Sequence, residues 1–416
     1  MLTQTTLAQS LSGKIVNTQG QPISGAVVKL GQNADMIRSN KQGEFSFTNV
    51  SADTIELHAS ARSYSQINQI ITFNEKDVTD LTLVLSPSVM EVIDVHVTPL
   101  HSSTIESALP ISVISADELK LKQAATLGET LKNEVGVHSS YYGPVASTPI
   151  IRGLDGPRVL ITQNGLDVGD ASRVGPDHIV AAETSTATQI EVLRGPATLF
   201  YGSGAIGGVV NVVDERVPTS SDQYIDYLLR YNDVSNEKPA SINLQTGTKN
   251  IAFHADAFWR ESKDYKLSSK TKGPSDEHSD EHADEEHESE TVKRLANTST
   301  VASGATVGSS YLFEQGFIGL SYGRLDREYG IPGHSPHGEH GEPVDEHGVF
   351  AKMKQDRVQM LSEYNIEQHF INRLTAKLAF TDYQHQEIEE QMVGTTFKNT
   401  SMEARADLYH QDYLGW

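Results

Sequence analysis

Histidine and carboxylate side chains are concentrated in two short segments of this 416-residue chain, in patterns that suit divalent-metal binding. Residues 276–290 read DEHSDEHADEEHESE, with nine carboxylates, three histidines and no basic residue. Residues 334–348 read HSPHGEHGEPVDEHG and add four more of the sixteen histidines. Imidazole is the commonest protein ligand for zinc and similar ions, and carboxylates complete such sites. The two segments therefore predict a divalent-metal binder.

The spacing of these histidines does not match any defined structural zinc signature. In the first segment the spacing is four and five residues, which places the side chains on one face if the segment is helical. We interpret both segments as weak, multi-site ligands, and the alternative is a solvated acidic surface loop. The candidate ligands are His278, His282 and His287 in the first segment and His334, His337, His340 and His347 in the second.

Composition limits the classes of function. A net charge of -22 argues against a nucleic-acid partner and suits cations. The chain has no cysteine, so any zinc must be held by nitrogen and oxygen atoms. No run approaches the roughly 20 apolar residues of a membrane-spanning helix, which leaves a β-barrel as the possible membrane structure. We hypothesise that TLAQS is the end of a signal peptide, cleaved after Ala8 or Gln9.

Residues 11–86 read as short strands, punctuated by Gly, Asn, Pro and Asp at intervals of about ten residues. This pattern predicts a small β-sandwich. The phrases GKIVNTQGQPISGAVVKL and NKQGEFSFTNV resemble the carboxypeptidase-regulatory-like domain, which is usually an accessory module ahead of outer-membrane receptors.

Residues 100–217 alternate between helical and strand patterns, which predicts an α+β domain. Leucines at 119, 121, 127 and 131 have the weak amphipathic spacing of a surface helix. The runs RVLITQNGL and QIEVLRG read as strands. The glycines of LRGPATLFYGSGAIGGVVNVV indicate tight turns and close backbone approaches, but their spacing is not that of a phosphate-binding loop.

Three phrases of this region carry a family resemblance: PISVISADEL, IRGLDGPRVLITQNGL and EVLRGPATLFYGSGAIGGVVNVV. They resemble the successive signatures of the plug domain of TonB-dependent outer-membrane receptors. In the preceding linker, residues 87–99, the heptapeptide EVIDVHV resembles the family's TonB box, an extended peptide that adds a strand to the edge of a partner's sheet. That resemblance implies binding to the TonB energy-coupling protein through Glu91, Val92, Ile93, Asp94, Val95, His96 and Val97.

Residues 218–416 contain strand after strand with apolar and polar residues in alternation. In RLTAKLAFTDY, one face carries Leu374, Ala376, Leu378 and Phe380, and the other carries Arg373, Thr375, Lys377 and Thr381. This is the pattern of transmembrane β-strands. A soluble sandwich shows the same alternation, but the plug signatures favour a barrel.

About eight such strands can be placed, whereas barrels that hold a folded plug have about 22. The expected fold is therefore mainly β: a small N-terminal sandwich, an α+β plug, and the N-terminal part of a transmembrane antiparallel barrel. We expect the barrel to be incomplete in this chain, which would then end within it at Trp416.

Two long connections, 261–300 and 326–356, contain the histidine segments and should lie outside the cell, because barrels of this kind have short periplasmic turns and long extracellular loops. The N-terminal domain and the TonB box would then be periplasmic. Histidine-rich outer loops make the chain resemble the zinc-uptake receptors of the family. In those receptors an Asp–His pair in the plug provides metal ligands, and it corresponds to Asp177 and His178 in VGPDHIVAAE. We expect the completing barrel ligands to lie beyond Trp416; the alternative for His178 is an ordinary hydrogen-bonded loop histidine.

The resemblance implies a transporter rather than an enzyme, with zinc as the transported ligand, no catalytic cofactor, and outer-membrane lipid and TonB as partners. Protonation of histidines near pH 6 should weaken capture, because a metal ligand must be neutral. Alternative cargoes are haem, copper, nickel or an iron chelate, and a surface zinc scavenger is a further possibility. A metallohydrolase is disfavoured, since the N-terminal module contains only His58 and no HExxH pattern.

Overall fold

The structure is a computed structural model that describes most of the chain. The described residues are 9–17, 20–30, 35–50, 54–61, 67–73, 76–85, 110–143, 146–171, 173, 175, 177–272, 291–332, 348–366, 371–389 and 391–410. The chain divides into two compact units.

The first unit contains an N-terminal β-sandwich. Its strands are β1 (Gln9–Asn17), β2 (Val27–Leu30), β3 (Asp35–Arg38), β4 (Glu44–Val50), β5 (Thr54–Ser60), β6 (Ile67–Thr72) and β7 (Val78–Leu85). One sheet has the order β4-β1-β7 and the other has the order β3-β2-β5-β6. Alternate residues of the strands, including Leu11, Val28, Leu57 and Leu83, are fully buried between the sheets. The predicted small sandwich is thereby confirmed.

The second unit contains the α+β plug. Its elements are β8 (Ile111–Ser115), α1 (Ala116–Lys122), α2 (Leu127–Leu131), β9 (Val137–Ser139), β10 (Pro149–Ile151), β11 (Val159–Gln163), β12 (Leu166–Asp167), β13 (Gln189–Leu193) and β14 (Gly208–Val213), with short 3-10 helices at Gly156–Arg158, Gly195–Tyr201 and Ser203–Ala205. Five strands form a sheet of order β12-β11-β14-β13-β8. The sheet strands β11, β13 and β14 are buried along their whole length, including polar residues such as Glu191 and Asn211.

The leucines that predicted a surface helix fall on two short helices instead. Gln123 follows the end of α1, and Thr126 immediately precedes α2, where its hydroxyl accepts the N–H of Glu129. This capping contact satisfies an N–H that has no partner within a helix. Leu119 and Leu127 enter the plug core, whereas Leu121 is exposed, so one continuous amphipathic face is not formed.

A large antiparallel sheet makes up most of the rest of the described chain. Its strands are β15 (Tyr224–Leu229), β16 (Lys238–Gly247), β17 (Ile251–Ser262), β20 (Thr300–Phe313), β21 (Gly316–Gly330), β22 (Phe350–Asn365), β23 (Ile371–Glu389) and β24 (Met392–His410), while β18 (Tyr265–Lys272) and β19 (Thr291–Leu295) form a separate two-stranded hairpin. The eight strands follow one another in chain order, with β15 and β24 at the two edges, and the described sheet does not close.

The strands of this sheet alternate as the sequence predicts. On β23, Leu378 and Phe380 are exposed on the outer face, whereas Thr375 and Thr381 are buried on the inner face. Polar side chains thus point inward and apolar ones outward, as in barrels that cross a membrane. The mainly β fold with an incomplete barrel is confirmed.

Connections at the two ends of the sheet differ in length. At one end, β20 and β21 are joined by a tight turn after Phe313. At the other end, the β18–β19 hairpin lies within the predicted loop 261–300. All seven histidines of the two acidic segments, and the TonB-box-like residues 91–97, lie outside the described residues. Among the helices that the structure describes, none is long and apolar enough to span a membrane.

Candidate functional site

His178 lies in the plug connection between β12 and β13, where its ring is only 4% exposed. Its Nε2 atom is 2.7 Å from Oε1 of Glu387 on β23. The plug histidine is therefore held by a carboxylate of the large sheet. A carboxylate that contacts an imidazole in this way fixes the orientation of the ring.

A second histidine of β23 packs against the first. The ring centroids of His178 and His385 are 4.6 Å apart, with the rings nearly perpendicular. His385 is 1% exposed, and its Nδ1 atom has no hydrogen-bond partner. Phe397 on β24 packs against both rings, with centroid distances of 5.2 Å and 5.8 Å. Two imidazoles and a carboxylate thus meet in a small enclosed cluster beside an aromatic ring.

Asp177 stands next to this cluster. Its Oδ1 atom is 3.9 Å from Nε2 of His178. Gly175 makes the arrangement possible, because a Cβ at that position would lie 2.8 Å from two ring atoms of His178 and 2.9 Å from Oδ1 of Asp177. Real Cβ atoms do not approach other atoms so closely, so glycine is required for both side chains to keep their places.

The donor set suits a divalent ion, although the side chains do not surround a common point. Within the described ranges, no three His, Asp or Glu side chains are arranged to hold a metal ion. Nε2 of His178 already contacts Oε1 of Glu387 at 2.7 Å, so this nitrogen has a partner other than a metal ion. Nitrogen and carboxylate oxygen bind zinc at about 2.0–2.2 Å, so the pair would have to separate to admit an ion between them.

Strand β21 holds the plug segment that follows His178. The hydroxyl of Tyr329 accepts the backbone N–H of Ile179 at 3.1 Å and lies 3.2 Å from Nε2 of His385. Two positions earlier, Arg327 donates to the carbonyl oxygens of Val180 at 3.1 Å and Ala182 at 2.9 Å. These contacts fix the backbone beside His178 and thereby position its ring.

A buried cluster of charged residues also connects the plug to the large sheet. Glu183 of the plug accepts hydrogen bonds from Arg327 at 2.6 Å and Arg260 at 3.2 Å, and from the hydroxyl of Ser185 at 2.7 Å. Burial alone would raise the pKa of Glu183, but the two guanidinium groups outweigh it and bring that pKa to about 2. Glu183 therefore remains charged at neutral pH and ties the plug to β17 and β21.

The structure brings together part of the predicted site and adds residues that the sequence did not single out. Asp177 and His178 are adjacent, as their position in the chain requires. The completing barrel residues were expected beyond Trp416, but the structure places His385 and Glu387 against His178 within this chain. In the sequence, every second residue after Thr381 should lie on the inner face of β23, and this alternation would have placed His385 and Glu387 on that face.

Comparison with known proteins identifies the architecture. Residues 103–209 match the TonB-dependent Receptor Plug Domain, and residues 10–86 match the Carboxypeptidase regulatory-like domain. Residues 103–209 are therefore a plug domain of the kind found in TonB-dependent receptors.

The individual relatives are named for different transported ligands. The chain is 33% identical over 114 residues to the vitamin B12 transporter BtuB of Photobacterium profundum, a match that covers 27% of this chain and 18% of that protein. Similar solved structures include the ferric enterobactin receptor PfeA of Pseudomonas aeruginosa (TM-score 0.55, 15% identity, 74% of this chain and 47% of that chain). The copper transporter OprC is also similar (TM-score 0.52, 15% identity, 67% of this chain and 38% of that chain).

Identities of this size between structures establish the fold alone. The receptor spans less than half of the length of each of these three relatives.

Proposed function

We propose that this receptor imports a divalent metal ion across the outer membrane, with zinc as the first candidate. The observation that carries the proposal is the meeting of His178 with His385 and Glu387 next to Asp177. Two imidazoles and two carboxylates form the nitrogen and oxygen donor set that zinc takes in proteins without cysteine. The chain contains no cysteine.

The burial of the two histidines favours a bare ion over haem or a metal chelate. His178 and His385 are 4% and 1% exposed. An ion reaches such nitrogens after small side-chain rotations, whereas a macrocycle would need the plug or the sheet to move apart. The relatives named for vitamin B12 and ferric enterobactin make larger metal-containing cargoes the second candidate, and the relative named for copper makes another metal ion an alternative to zinc.

The histidine-rich acidic segments, residues 276–290 and 334–348, would collect the ion before it reaches the plug. A concentration of carboxylates raises the local density of cations and speeds their association. Transfer to His178 would follow, and a pull by TonB on residues 91–97 would rearrange the plug and release the ion inward. This coupling is the part of the proposal that rests on the family alone.

Uptake measurements in cells that produce the receptor test this function. Cellular zinc should rise when the intact receptor is present at limiting external zinc, and it should not rise for a variant without residues 91–97. Purified receptor without residues 91–97 should still bind zinc as the wild type does, because the coupling segment is not part of the binding site. Zinc accumulation that is the same with and without the receptor, together with receptor-dependent accumulation of haem, copper or an iron chelate, would contradict the zinc proposal.

A further inference from the structure

A row of polar residues crosses the inner face of the large sheet near its short-turn end. In register across five strands, Gln245 stands opposite His254, His254 opposite Gly308, Gly308 opposite Ser321, and Ser321 opposite Gln359. Directly opposed residues in antiparallel strands have their Cβ atoms about 4.5–5.5 Å apart. Gln245 and His254 are therefore immediate neighbours, as are Ser321 and Gln359, and Gly308, which has no side chain, separates the two pairs.

Several atoms in and beside this row are buried without a hydrogen-bond partner. Asn243 and Ser310 lie two positions away from the row, on the same inner face of β16 and β20. The residues concerned are at most 7% exposed. Buried polar atoms nearly always have a partner, and a cluster without one indicates a bound water or ion. The unpartnered atoms are Oδ1 of Asn243, Oε1 of Gln245, Nδ1 of His254, Oγ of Ser310 and Oγ of Ser321.

His254 is oriented as a metal ligand would be. Its Nε2 atom lies 3.0 Å from Oδ2 of Asp256, which is two residues further along β17 and equally buried. When Nε2–H donates to that carboxylate, Nδ1 carries the lone pair of the ring. Histidines that bind metals commonly have their second nitrogen fixed by a carboxylate in this way.

The charged residues near His254 are Arg216, Asp214 and Asp256. Arg216 of the plug forms a bidentate pair with Asp214, at 2.7–2.9 Å, and also lies within electrostatic reach of Asp256. Oδ2 of Asp256 is in direct contact with Nε2 of His254. Gly308 adds a further oxygen, because its missing side chain lets the carbonyl oxygen of Arg216 lie against the row, in the space that a Cβ would otherwise fill.

The row is distant from the cluster around His178. Ser321 belongs to the row and Tyr329 to the cluster, and they are eight residues apart on β21, or roughly 27 Å at about 3.4 Å per residue. The row lies toward the short turns, which face the periplasm in barrels of this class. The two histidine sites thus lie toward opposite ends of the boundary between plug and sheet.

We propose that His254, held by Asp256, binds a divalent cation together with the oxygens of the neighbouring row, as a second site on the path of the ion toward the periplasm. This inference rests on the proposed function, since the cation is the same cargo. The ligands offered are imidazole nitrogen and amide, hydroxyl and carbonyl oxygens. With one imidazole instead of two, this site should bind the ion more weakly than the cluster around His178, which suits a site that must release the ion.

Zinc titration of the intact receptor in detergent by calorimetry separates the two sites. The wild type should bind two zinc equivalents more tightly than the multi-site histidine segments do. His178→Ala should lose one of them and His254→Ala the other. His138→Ala, which removes an exposed histidine of the plug, should retain both.

The outcomes discriminate between the two proposals. If His178→Ala removes an equivalent and His254→Ala removes none, the second site is refuted, water alone partners the row, and the proposed function stands. If the wild type has no such equivalent, the proposed function fails and this inference fails with it. Loss of both equivalents in His254→Ala would refute an independent second site.

A second, more conservative variant tests the site in case His254→Ala does not fold. Asp256→Asn should keep the second equivalent but weaken it by about 10- to 100-fold, as expected for loss of a carboxylate that orients a ligating histidine. In a receptor without residues 276–290 and 334–348, zinc-edge X-ray absorption of His178→Ala with one equivalent bound should show imidazole coordination, and the His178→Ala/His254→Ala double variant should not. Imidazole coordination that persists in the double variant would contradict the proposal.

Discussion

The hydroxyl of Tyr329 and the Nε2 atom of His385 lie 3.2 Å apart, and the same hydroxyl accepts the N–H of Ile179 from the plug. One phenol thus joins two strands of the large sheet to the plug backbone next to His178. Each of the three groups is buried, so removal of the hydroxyl leaves polar atoms without partners.

Tyr329→Phe should therefore lower the free energy of unfolding of the receptor by about 1–3 kcal/mol, the usual penalty for a buried polar group left unpaired. Denaturant unfolding in detergent measures this loss. Tyr227→Phe is the matched control, because Tyr227 is exposed on the outer face of β15, and it should change stability by less than about 0.5 kcal/mol. Equal effects of the two substitutions would contradict the role given to Tyr329.

The buried cluster of Glu183 with Arg260 and Arg327 predicts a pH dependence. The pKa of Glu183 is about 2 in the folded protein, against an ordinary value of 4.5. The folded state therefore binds this proton more weakly than the unfolded state, and stability from the cluster is complete above about pH 4.5 and is lost as the pH falls toward 2.

Glu183→Gln should cost about 3–5 kcal/mol at pH 7, because two buried guanidinium groups lose their carboxylate. Thermal unfolding of wild type and variant should converge as the pH is lowered from 5 to about 2.5. Glu261→Gln, at an exposed position on β17, is the control and should have little effect at any pH. A constant difference between wild type and Glu183→Gln across this range would show that the charge of Glu183 is not responsible.

Gly175→Ala tests the packing of the plug loop around His178. The added methyl would lie 2.8 Å from the ring, so the ring must shift by several tenths of an ångström. We expect at least a tenfold loss of zinc affinity with the receptor still folded, because ligand geometry at metal sites is strict. Gly394→Ala is the control, since a Cβ there would meet its nearest atom only at 3.9 Å. Unchanged zinc affinity in Gly175→Ala would argue that His178 is not a ligand.

The acidic segment 276–290 should act mainly on the rate of capture. Replacing its nine carboxylates by amides should slow zinc association at low ionic strength, and the difference from wild type should shrink in about 1 M salt, where charges are screened beyond about 3 Å. Stopped-flow mixing with a zinc indicator measures both rates. A variant with serine at 278, 282 and 287 keeps the charge and separates attraction from ligation. Equal rates for the amide variant and the wild type at low salt would contradict this role.

Periodicity in the sequence predicts most of the fold. The alternation of Leu378 and Phe380 with Thr375 and Thr381 places the outer and inner faces of β23 correctly, because successive residues of a strand point to opposite sides. Helix boundaries were less predictable, since Leu119 and Leu127 both pack in the plug core but belong to two separate helices. Spacing alone does not report that packing.

The candidate site required the structure because its members are far apart in the chain. His178 and Glu387 are separated by 209 residues. The inner face of β23 can be extended from Thr381 to His385 and Glu387 by counting, but counting does not show which plug loop meets them. That contact depends on how the plug is seated against the strands, and the anchoring residues Arg260 and Arg327 have no local sequence signature.

Zinc titration of the intact receptor with the ligands around His178 altered tests the central claim most directly. His178→Ala should remove one tight zinc equivalent, and Glu387→Gln should weaken that equivalent by about tenfold or more, while His138→Ala should match the wild type. If His178→Ala and Glu387→Gln bind zinc with the affinity and stoichiometry of the wild type, this cluster is not a metal site and the cargo is not recognised there.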